Sequence, residues 1–285
     1  MTGSECRLPT EAGTLTALRW TRPGGPRVLA LHGWLDNAAS FVPIAPHLPG
    51  VDLVALDLPG HGRSAHLPPG AEYSLAGTVH AVLDAADALG WDRFAVLGHS
   101  MGASIGCLVA AAAPDRVDRL VAIEALGALA EAEDRTAQRL REAVAARRAL
   151  RGKRLRIFPD PDTAVRARMQ ASGLPETVAR RLVERGLHAV EGGHAWSTDQ
   201  RLTVSTPTRM TEGQVRDLLR RLACPVLAVY AEPAQPYFPE PLRSERAALP
   251  PGGRLVRLEG GHHLHMDQPA AVAAAIEGFL NAPRR

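Results

Sequence analysis

The stretch of sequence that decides the fold is RFAVLGHSMGASIGCLVAAAA, residues 93–113. Arg93–Leu97 is a short apolar run typical of a buried strand, and Met101–Ala113 is small, apolar and helical in character. Between them GHSMG (98–102) puts a serine in a tight turn, where flanking glycines let neighbouring chains approach without a Cβ clash. A glycine-flanked serine also occurs in ordinary turns, but a preceding strand and a following helix are the context of a nucleophile elbow. We therefore predict that Ser100 is a nucleophile.

A group of histidines near the other end of the chain offers a base for such a serine. Gly261–Pro269 reads GHHLHMDQP and follows an apolar run at Arg254–Leu258. A histidine in a loop after the last strand can reach the serine as a general base. We predict this role for His262, and structural roles for His263 and His265.

The same three histidines raise the question of a metal ion. Zinc sites combine histidine with cysteine or carboxylate ligands at characteristic spacings. No such partner stands out in this sequence, and the three cysteines are scattered, with no Cys-x-x-Cys pair. We therefore predict neither a metal site nor a cofactor.

A turn after an earlier strand is a candidate for stabilising negative charge on a substrate. His32–Asp36 (HGWLD) follows the apolar run Arg27–Leu31. Backbone N–H groups in such a loop and at the start of a helix can point at a developing oxyanion. We predict that Trp34 and Met101 donate these N–H groups, and that the side chain of His32 holds its loop by a hydrogen bond.

Apolar runs of strand length alternate with helical patterns along most of the chain. Besides the runs named above, Val51–Leu58, Val117–Ile123 and Pro225–Tyr230 are predicted strands, whereas Ser74–Leu89 and Asp267–Leu280 are predicted helices. This alternation is typical of an α/β fold, in which a mostly parallel central sheet has helices on both faces.

The stretch of residues 127–205 breaks this alternation. It contains helical segments, Ala128–Arg151 and Pro175–Arg185, and no convincing strand. We therefore predict a core made of residues 1–126 and 206–285, interrupted by a helical lid (127–205) over the carboxyl edge of the sheet.

The bulk composition favours an ordinary globular protein. The 285 residues are 46% hydrophobic and 22% charged, with a net charge of +3, and this length is enough to bury a sizeable core. We interpret the basic run at 147–156 as a solvated helix face, so no nucleic-acid partner is expected. Since no apolar stretch is long enough to span a membrane and the N-terminus lacks a signal-peptide pattern, we expect a cytoplasmic protein without membrane contact.

Four motifs, taken in order, carry a resemblance to a known superfamily. His32–Phe41 (HGWLDNAASF), Asp57–Ser64 (DLPGHGRS), Gly98–Gly102 and Gly261–Pro269 together resemble the α/β-hydrolase superfamily. The first and last of these motifs are most similar to the serine hydrolase-like proteins of that superfamily. The resemblance covers both ends of the chain well and residues 127–205 poorly. It implies the α/β-hydrolase fold and a catalytic order of nucleophile, acid and histidine.

The acid of this triad has two candidates. Many superfamily members carry an Asp shortly after the strand that begins here at Pro225, but this sequence has Ala234 where that Asp would fall. Some members, including haloalkane dehalogenases, place the acid after the strand next to the nucleophile strand, where this chain has Glu124. Glu232 lies near the more usual position but two residues early. We predict Glu124 as the acid and keep Glu232 as the alternative.

These residues predict a serine hydrolase that cleaves an ester or related acyl bond through a covalent acyl-enzyme, with Ser100, His262 and Glu124 as the triad. Hydrolysis of a C–C bond and cofactor-free peroxidation use the same triad and stay open. A ligand-binding protein that keeps the fold without turnover is a further alternative. Residues 127–205 contain few aromatic side chains, so we expect aliphatic side chains to line much of the pocket. This favours a small, largely apolar substrate. The oligomeric state is not readable from the sequence.

Overall fold

The computed structural model of the protein describes residues 3–153 and 155–283. Its strands are β1 (Ser4–Thr10), β2 (Gly13–Trp20), β3 (Arg27–Leu31), β4 (Asp52–Leu56), β5 (Phe94–His99), β6 (Val117–Ile123), β7 (Leu187–Val190), β8 (Gly193–Trp196), β9 (Val226–Glu232) and β10 (Arg254–Glu259). Its α-helices are α1 (Leu75–Ala88), α2 (Met101–Ala112), α3 (Thr136–Leu150), α4 (Pro161–Ser172), α5 (Glu176–Gly186), α6 (Glu212–Arg220), α7 (Leu242–Ala247), α8 (Leu264–Asp267) and α9 (Pro269–Leu280). None of these helices combines the length and the apolar character needed to cross a membrane.

The order of the strands in the large sheet determines which loops meet. That order is β1-β2-β4-β3-β5-β6-β9-β10. β2 is antiparallel to both of its neighbours, and the pairs from β4 to β10 are all parallel. The predicted mostly parallel sheet is therefore confirmed. Because parallel strands end at the same edge of a sheet, the turns after β3, β5, β6, β9 and β10 lie at one edge.

Helices cover both faces of this sheet, each over its own hydrophobic cluster. Leu31 and Val96 belong to the cluster that includes residues of α1, α2 and α6, whereas Ala30 and Leu97 belong to the one that includes residues of α9. Successive residues of a strand point to opposite faces, so a central strand needs apolar residues at every position. This is why strands such as β5 form continuous apolar runs in the sequence.

The pattern of residues 4–20 does not predict the hairpin that the structure contains there. β1 and β2 are antiparallel, with Ser4 opposite Arg19 and Thr10 opposite Gly13. In β1 only Leu8 is buried, since β1 lies at the edge of the sheet. An edge strand with one buried side chain has no apolar run to mark it.

The stretch between β6 and β9 contains α3 to α6 and also a small second sheet, so the expectation that it holds no strand is wrong. β7 pairs with β8, with Leu187 opposite Trp196 and Val190 opposite Gly193. Each strand has only four residues, and most of these are exposed or half-buried, so no apolar run indicates them. Helix α4 also lies outside the helical segments predicted for this stretch.

This stretch contacts loops at the carboxyl edge of the large sheet. Trp34 Nε1 donates to the carbonyl of Leu202 at 2.8 Å, and Asn37 Nδ2 donates to the carbonyl of Leu182 at 2.8 Å. Both contacts join the loop after β3 to the inserted stretch. They agree with the position expected for a lid, and the lid with its boundaries at 127 and 205 stays a prediction.

Helix α2 packs closely against β3 through a glycine. A Cβ built on Gly102 would lie 1.9 Å from the carbonyl oxygen of Leu31, and one built on Gly98 would lie 2.4 Å from Ala103 Cα. Both neighbours are backbone atoms, which cannot move aside as a flexible side chain can. These two glycines therefore determine how closely the strand, turn and helix around Ser100 can pack.

We expect Gly102→Ala to lower the free energy of unfolding by about 3 kcal/mol or more, because overpacking costs about 1–3 kcal/mol and this clash is with backbone. The matched control is Gly278→Ala in α9, where nothing lies within 4 Å of the added Cβ. Alanine is about 1 kcal/mol more favourable than glycine in a helix, so the control should be neutral or stabilising. Urea denaturation measures both variants. A Gly102→Ala protein as stable as the wild type would contradict this packing.

Candidate active site

Ser100 lies between β5 and α2 in a backbone conformation that L residues rarely adopt. Its φ is 52° and its ψ is −115°. The Ser100 N–H donates to the carbonyl of Ile123 at 2.8 Å, and the Ala103 N–H donates to the Ser100 carbonyl at 3.0 Å. A strained residue of this kind costs on the order of 1–3 kcal/mol, and such residues cluster at functional sites. The structure thus contains the strained strand–turn–helix that the sequence predicts around this serine.

His262 and Glu124 meet at the carboxyl edge of the sheet. Glu124 directly follows β6, has a positive φ of 60° and is 5% exposed. Its Oε2 lies 3.3 Å from His262 Nδ1, and its Oε1 accepts a hydrogen bond from the Ala231 N–H at 2.5 Å. If the proton of the imidazole is assigned to Nδ1, that nitrogen donates to the carboxylate and Nε2 is left as a base.

A buried arginine lies behind this carboxylate. Arg243 Nη2 is 4.0 Å from Glu124 Oε1 and donates to the carbonyl of Ala231 at 2.7 Å. The guanidinium also lies 4.5 Å from the centre of the Tyr230 ring. The positive charge of Arg243 balances the negative charge that is buried with Glu124.

The loop after β10 that carries His262, here called the histidine loop, is hydrogen-bonded to His99, the residue that precedes Ser100. His99 Nε2 donates to the carbonyl of His262 at 2.8 Å, and the centroids of the two rings are 4.8 Å apart. In the part of the chain that the structure describes, the ring of His262 is hydrogen-bonded to Glu124 and Tyr237, not to Ser100 Oγ. Catalytic hydrogen bonds are often long without a ligand and tighten in the substrate complex. The hydrogen bond between His99 and His262 therefore holds the segments that carry Ser100 and His262 side by side. In the described structure the Ser100–His262 hydrogen bond itself is not formed.

Glu232, the alternative acid, has other partners. Its Oε1 lies 3.2 Å from Arg257 Nε and 3.8 Å from Arg243 Nη1. The side chain is partly exposed at the end of β9. The structure brings Glu124 to the imidazole of His262, whereas Glu232 is engaged in an arginine network.

Tyr237 is a residue of the site that the sequence motifs do not indicate. Its hydroxyl lies 3.0 Å from His262 Nδ1, so it shares that nitrogen with Glu124. Burial, together with the nearby negative charge of Glu124, raises the pKa of Tyr237 to about 12, and the hydroxyl keeps its proton at neutral pH. Tyr237 lies three residues after Ala234, on the loop that carries an Asp in many relatives.

The candidate oxyanion donors lie on the two turns expected for them. Trp34 follows β3, and Leu35 after it has a positive φ of 59°, so the loop turns sharply there. Met101 begins α2, where the first N–H groups of a helix have no carbonyl partner within the helix. His32 is fully buried, and its Nε2 accepts from the Leu58 N–H at 3.0 Å. The structural role predicted for His32 is therefore confirmed.

Several histidines around the site are buried as neutral imidazoles. Burial lowers the pKa of His32 to about 4, and it lowers the pKa values of His61 and His265 to about 3. His61 packs edge to face against His32, with ring centroids 4.9 Å apart. His265 Nε2 lies 2.7 Å from Ser40 Oγ, a contact that agrees with the structural role predicted for His265.

Asp36 lies in a further buried group beside the site. Its Oδ1 accepts a hydrogen bond from Arg168, and its Oδ2 accepts one from His263 Nε2 at 3.2 Å. His99 Nδ1 lies 3.8 Å from the same Oδ2. The Arg168 and His263 partners hold the pKa of Asp36 well below its usual value despite burial. The sequence spacings miss this group because its members come from the loops after β3 and β10, from the last residue of β5 and from α4.

Comparison with known proteins defines the class of the chain. The family model described as the alpha/beta hydrolase fold matches residues 26–269, so the chain belongs to the α/β-hydrolase family. Within that family it is a relative of the serine hydrolase-like proteins. Serine hydrolase-like protein 2 of Homo sapiens is 30% identical over 299 residues, which cover 97% of this chain and 94% of that protein. The serine hydrolase-like protein of Danio rerio is 28% identical over 97% of this chain and 88% of that protein.

Solved structures agree with this assignment. A hypothetical protein of Pseudomonas aeruginosa PAO1 matches with a TM-score of 0.91 and 40% identity, over 99% of this chain and all 100% of that one. The thioesterase domain from the curacin biosynthetic pathway matches with a TM-score of 0.84 and 27% identity, over 97% and 99% of the two chains. The predicted α/β-hydrolase fold is confirmed, and the relatives support hydrolase activity for this chain.

We expect the free energy of unfolding to fall as the pH is lowered below about 6.5, where an unfolded histidine takes up a proton. His32 stays neutral in the folded protein down to about pH 4, and His61 and His265 stay neutral to about pH 3. Between about pH 6.5 and these lower pH values, the unfolded state binds more protons than the folded state. Each of the three histidines therefore lowers the free energy of unfolding by up to about 1.4 kcal/mol per pH unit. Urea denaturation at about pH 7.5, 6.5 and 5.5 measures the slope.

The histidine contribution can be separated from other titrating groups. His265→Gln removes one buried imidazole and should make the loss of stability with falling pH less steep. His80→Gln, on the exposed side of α1, is the matched control and should leave the slope as it is. A wild-type protein whose stability does not change between about pH 7.5 and 5.5 would show that the buried histidines are not held neutral.

Proposed function

We propose that this protein is a serine hydrolase that cleaves an ester or related acyl bond of a small, largely apolar substrate, with Ser100 as nucleophile, His262 as base and Glu124 as acid. The observation that carries the proposal is the 3.3 Å contact between His262 Nδ1 and Glu124 Oε2, beside a serine in a strained turn at the start of α2. A buried carboxylate at Nδ1 orients the imidazole and stabilises its protonated form. The relatives named serine hydrolase-like proteins support the same chemistry.

Acylation begins when Ser100 Oγ attacks the carbonyl carbon of the substrate. His262 Nε2 takes the hydroxyl proton as the new C–O bond forms, and the carbonyl oxygen becomes an oxyanion. The N–H groups of Trp34 and Met101 donate to this oxyanion. When the tetrahedral intermediate collapses, His262 gives its proton to the leaving alcohol or thiol, and the acyl group stays on Ser100.

Deacylation repeats these steps with water as the nucleophile. His262 removes a proton from the water molecule, whose oxygen attacks the acyl carbon and forms a second oxyanion. Collapse of this intermediate returns the proton to Ser100 Oγ and releases the carboxylic acid. Glu124 and the hydroxyl of Tyr237 both contact Nδ1, so the ring is held from that side while Nε2 transfers protons.

The side chains around the site favour an apolar acyl substrate. Trp34 lies on the loop after β3, and Tyr237 contacts His262. Both side chains are more than half exposed, and they offer aromatic surface beside the reacting groups. The similarity to a thioesterase domain, at 27% identity, agrees with a substrate that carries an acyl group. Hydrolysis of chromogenic esters of increasing acyl length reports the size that the site accepts.

We expect a fluorophosphonate probe to label the wild-type protein and not the Ser100→Ala variant, because the probe reacts with an activated serine hydroxyl. Ser104→Ala is the control: Ser104 lies one turn further along α2, and its Oγ donates to the Gly127 carbonyl at 2.9 Å. That variant should still be labelled. Intact-mass spectrometry measures the adduct. Labelling of Ser100→Ala, or none of the wild type, would contradict the proposed nucleophile.

We expect Glu124→Gln to lower turnover of an ester substrate by roughly 10⁴-fold, as loss of the acid does in related triads. Glutamine keeps the size of the side chain but cannot balance a protonated imidazole. Glu232→Gln, which removes a carboxylate bonded to arginines instead, is the matched control and should retain most of the activity. The opposite ranking of the two variants would assign the acid to Glu232.

A further inference from the structure

Asp36, His99 and His263 bring metal-ligating atoms together beside the hydrolytic residues. One ligand atom from each lies within 4.8 Å of the other two. Asp36 Oδ2 is 3.2 Å from His263 Nε2 and 3.8 Å from His99 Nδ1. A tetrahedral zinc ion with bonds of about 2.0–2.2 Å needs ligand atoms about 3.3–3.6 Å apart. The two observed distances lie just on either side of that range.

The hydrogen bond of His99 fixes which of its nitrogens is free. Nε2 lies 2.8 Å from the carbonyl oxygen of His262, and a carbonyl can only accept, so Nε2 carries the proton. When Nε2 of an imidazole donates in this way, Nδ1 is the nitrogen that offers a lone pair, and here it lies 3.8 Å from Asp36 Oδ2. His99 is fully buried, and within the described chain Nδ1 has no hydrogen-bond partner.

Two acceptors therefore face each other across a short gap. The lone pair of His99 Nδ1 and the negative Asp36 Oδ2 are 3.8 Å apart, and neither can donate a hydrogen bond to the other. Buried polar atoms are normally satisfied, and an exception calls for an explanation. A cation between these two atoms would replace their repulsion with two favourable bonds.

The surroundings also match those of metal ligands in proteins. A histidine that binds a metal almost always donates its other N–H to a carbonyl, carboxylate or water, and ligating carboxylates carry further hydrogen bonds. His99 donates Nε2–H to the carbonyl of His262. Asp36 accepts from Arg168 through Oδ1, so Oδ2 is the oxygen that faces the two histidines.

We propose that Asp36, His99 and His263 bind a divalent transition-metal ion, with Zn²⁺ as the best fit and water as a fourth ligand. Two imidazole nitrogens and one carboxylate oxygen suit zinc and its neighbours, whereas Mg²⁺ and Ca²⁺ prefer oxygen ligands. Binding through His263 Nε2 displaces the proton that this nitrogen donates to Asp36 Oδ2. The guanidinium of Arg168 opposes a further cation, and we therefore expect weaker binding than at a thiolate site.

Direct binding tests this site without any turnover. The protein is stripped with EDTA and titrated with Zn²⁺ against a chromogenic chelator, and with Co²⁺ to record the visible bands of a low-coordinate ion. We expect one ion per wild-type chain. His263→Gln and Asp36→Asn, which keep the side chains close in size, should each weaken zinc binding by at least about tenfold, since even outer-shell changes cost about 10–100-fold.

His80→Gln is the matched control for adventitious binding, because His80 lies on the exposed side of α1 and should not change the affinity. Near-UV circular dichroism checks that each variant is folded. Equal zinc affinity of wild type, His263→Gln and Asp36→Asn would overturn the proposal, as would no binding by the wild type. Because the readout is metal binding, failure of the proposed hydrolysis would leave this result interpretable.

Discussion

The contact between His262 Nδ1 and Glu124 Oε2, 3.3 Å long, is the interaction on which the proposed active site depends. It requires a buried carboxylate at the end of β6 whose other oxygen is already fixed by the Ala231 N–H at 2.5 Å. A carboxylate held in this way can stabilise a protonated imidazole without reorganising during the reaction. The geometry comes from the sheet, because β5, β6 and β9 are parallel neighbours and end at one edge.

The serine turn could be predicted because its signal is local in the sequence, whereas Glu124 is proposed as the acid from the resemblance to α/β-hydrolases that place it after this strand. The strand, the Gly-x-Ser-x-Gly turn and the helix are contiguous, and Glu124 is the first residue after an apolar strand. Strands buried on both faces can also be predicted, because they appear in the sequence as continuous apolar runs. The β1–β2 and β7–β8 hairpins could not be predicted in this way, because most of their side chains are exposed or half-buried.

Contacts between distant loops could not be predicted either. Tyr237 reaches Nδ1 of His262 only because the loop after β9 lies against the histidine loop. Asp36 meets His99 and His263 only because three strand ends meet at one edge of the sheet. Strained backbone and buried polar groups are concentrated at this edge, as expected where a fold gives up local stability for function.

The most direct test is a crystal structure with Ser100 phosphonylated by a fluorophosphonate, because the tetrahedral phosphorus resembles the reaction intermediate. We predict that a phosphonyl oxygen lies about 3 Å from the N–H groups of both Trp34 and Met101. We also predict that His262 Nδ1 stays hydrogen-bonded to Glu124. A phosphonyl oxygen that faces solvent, or a His262 ring turned away from Glu124, would contradict this mechanism.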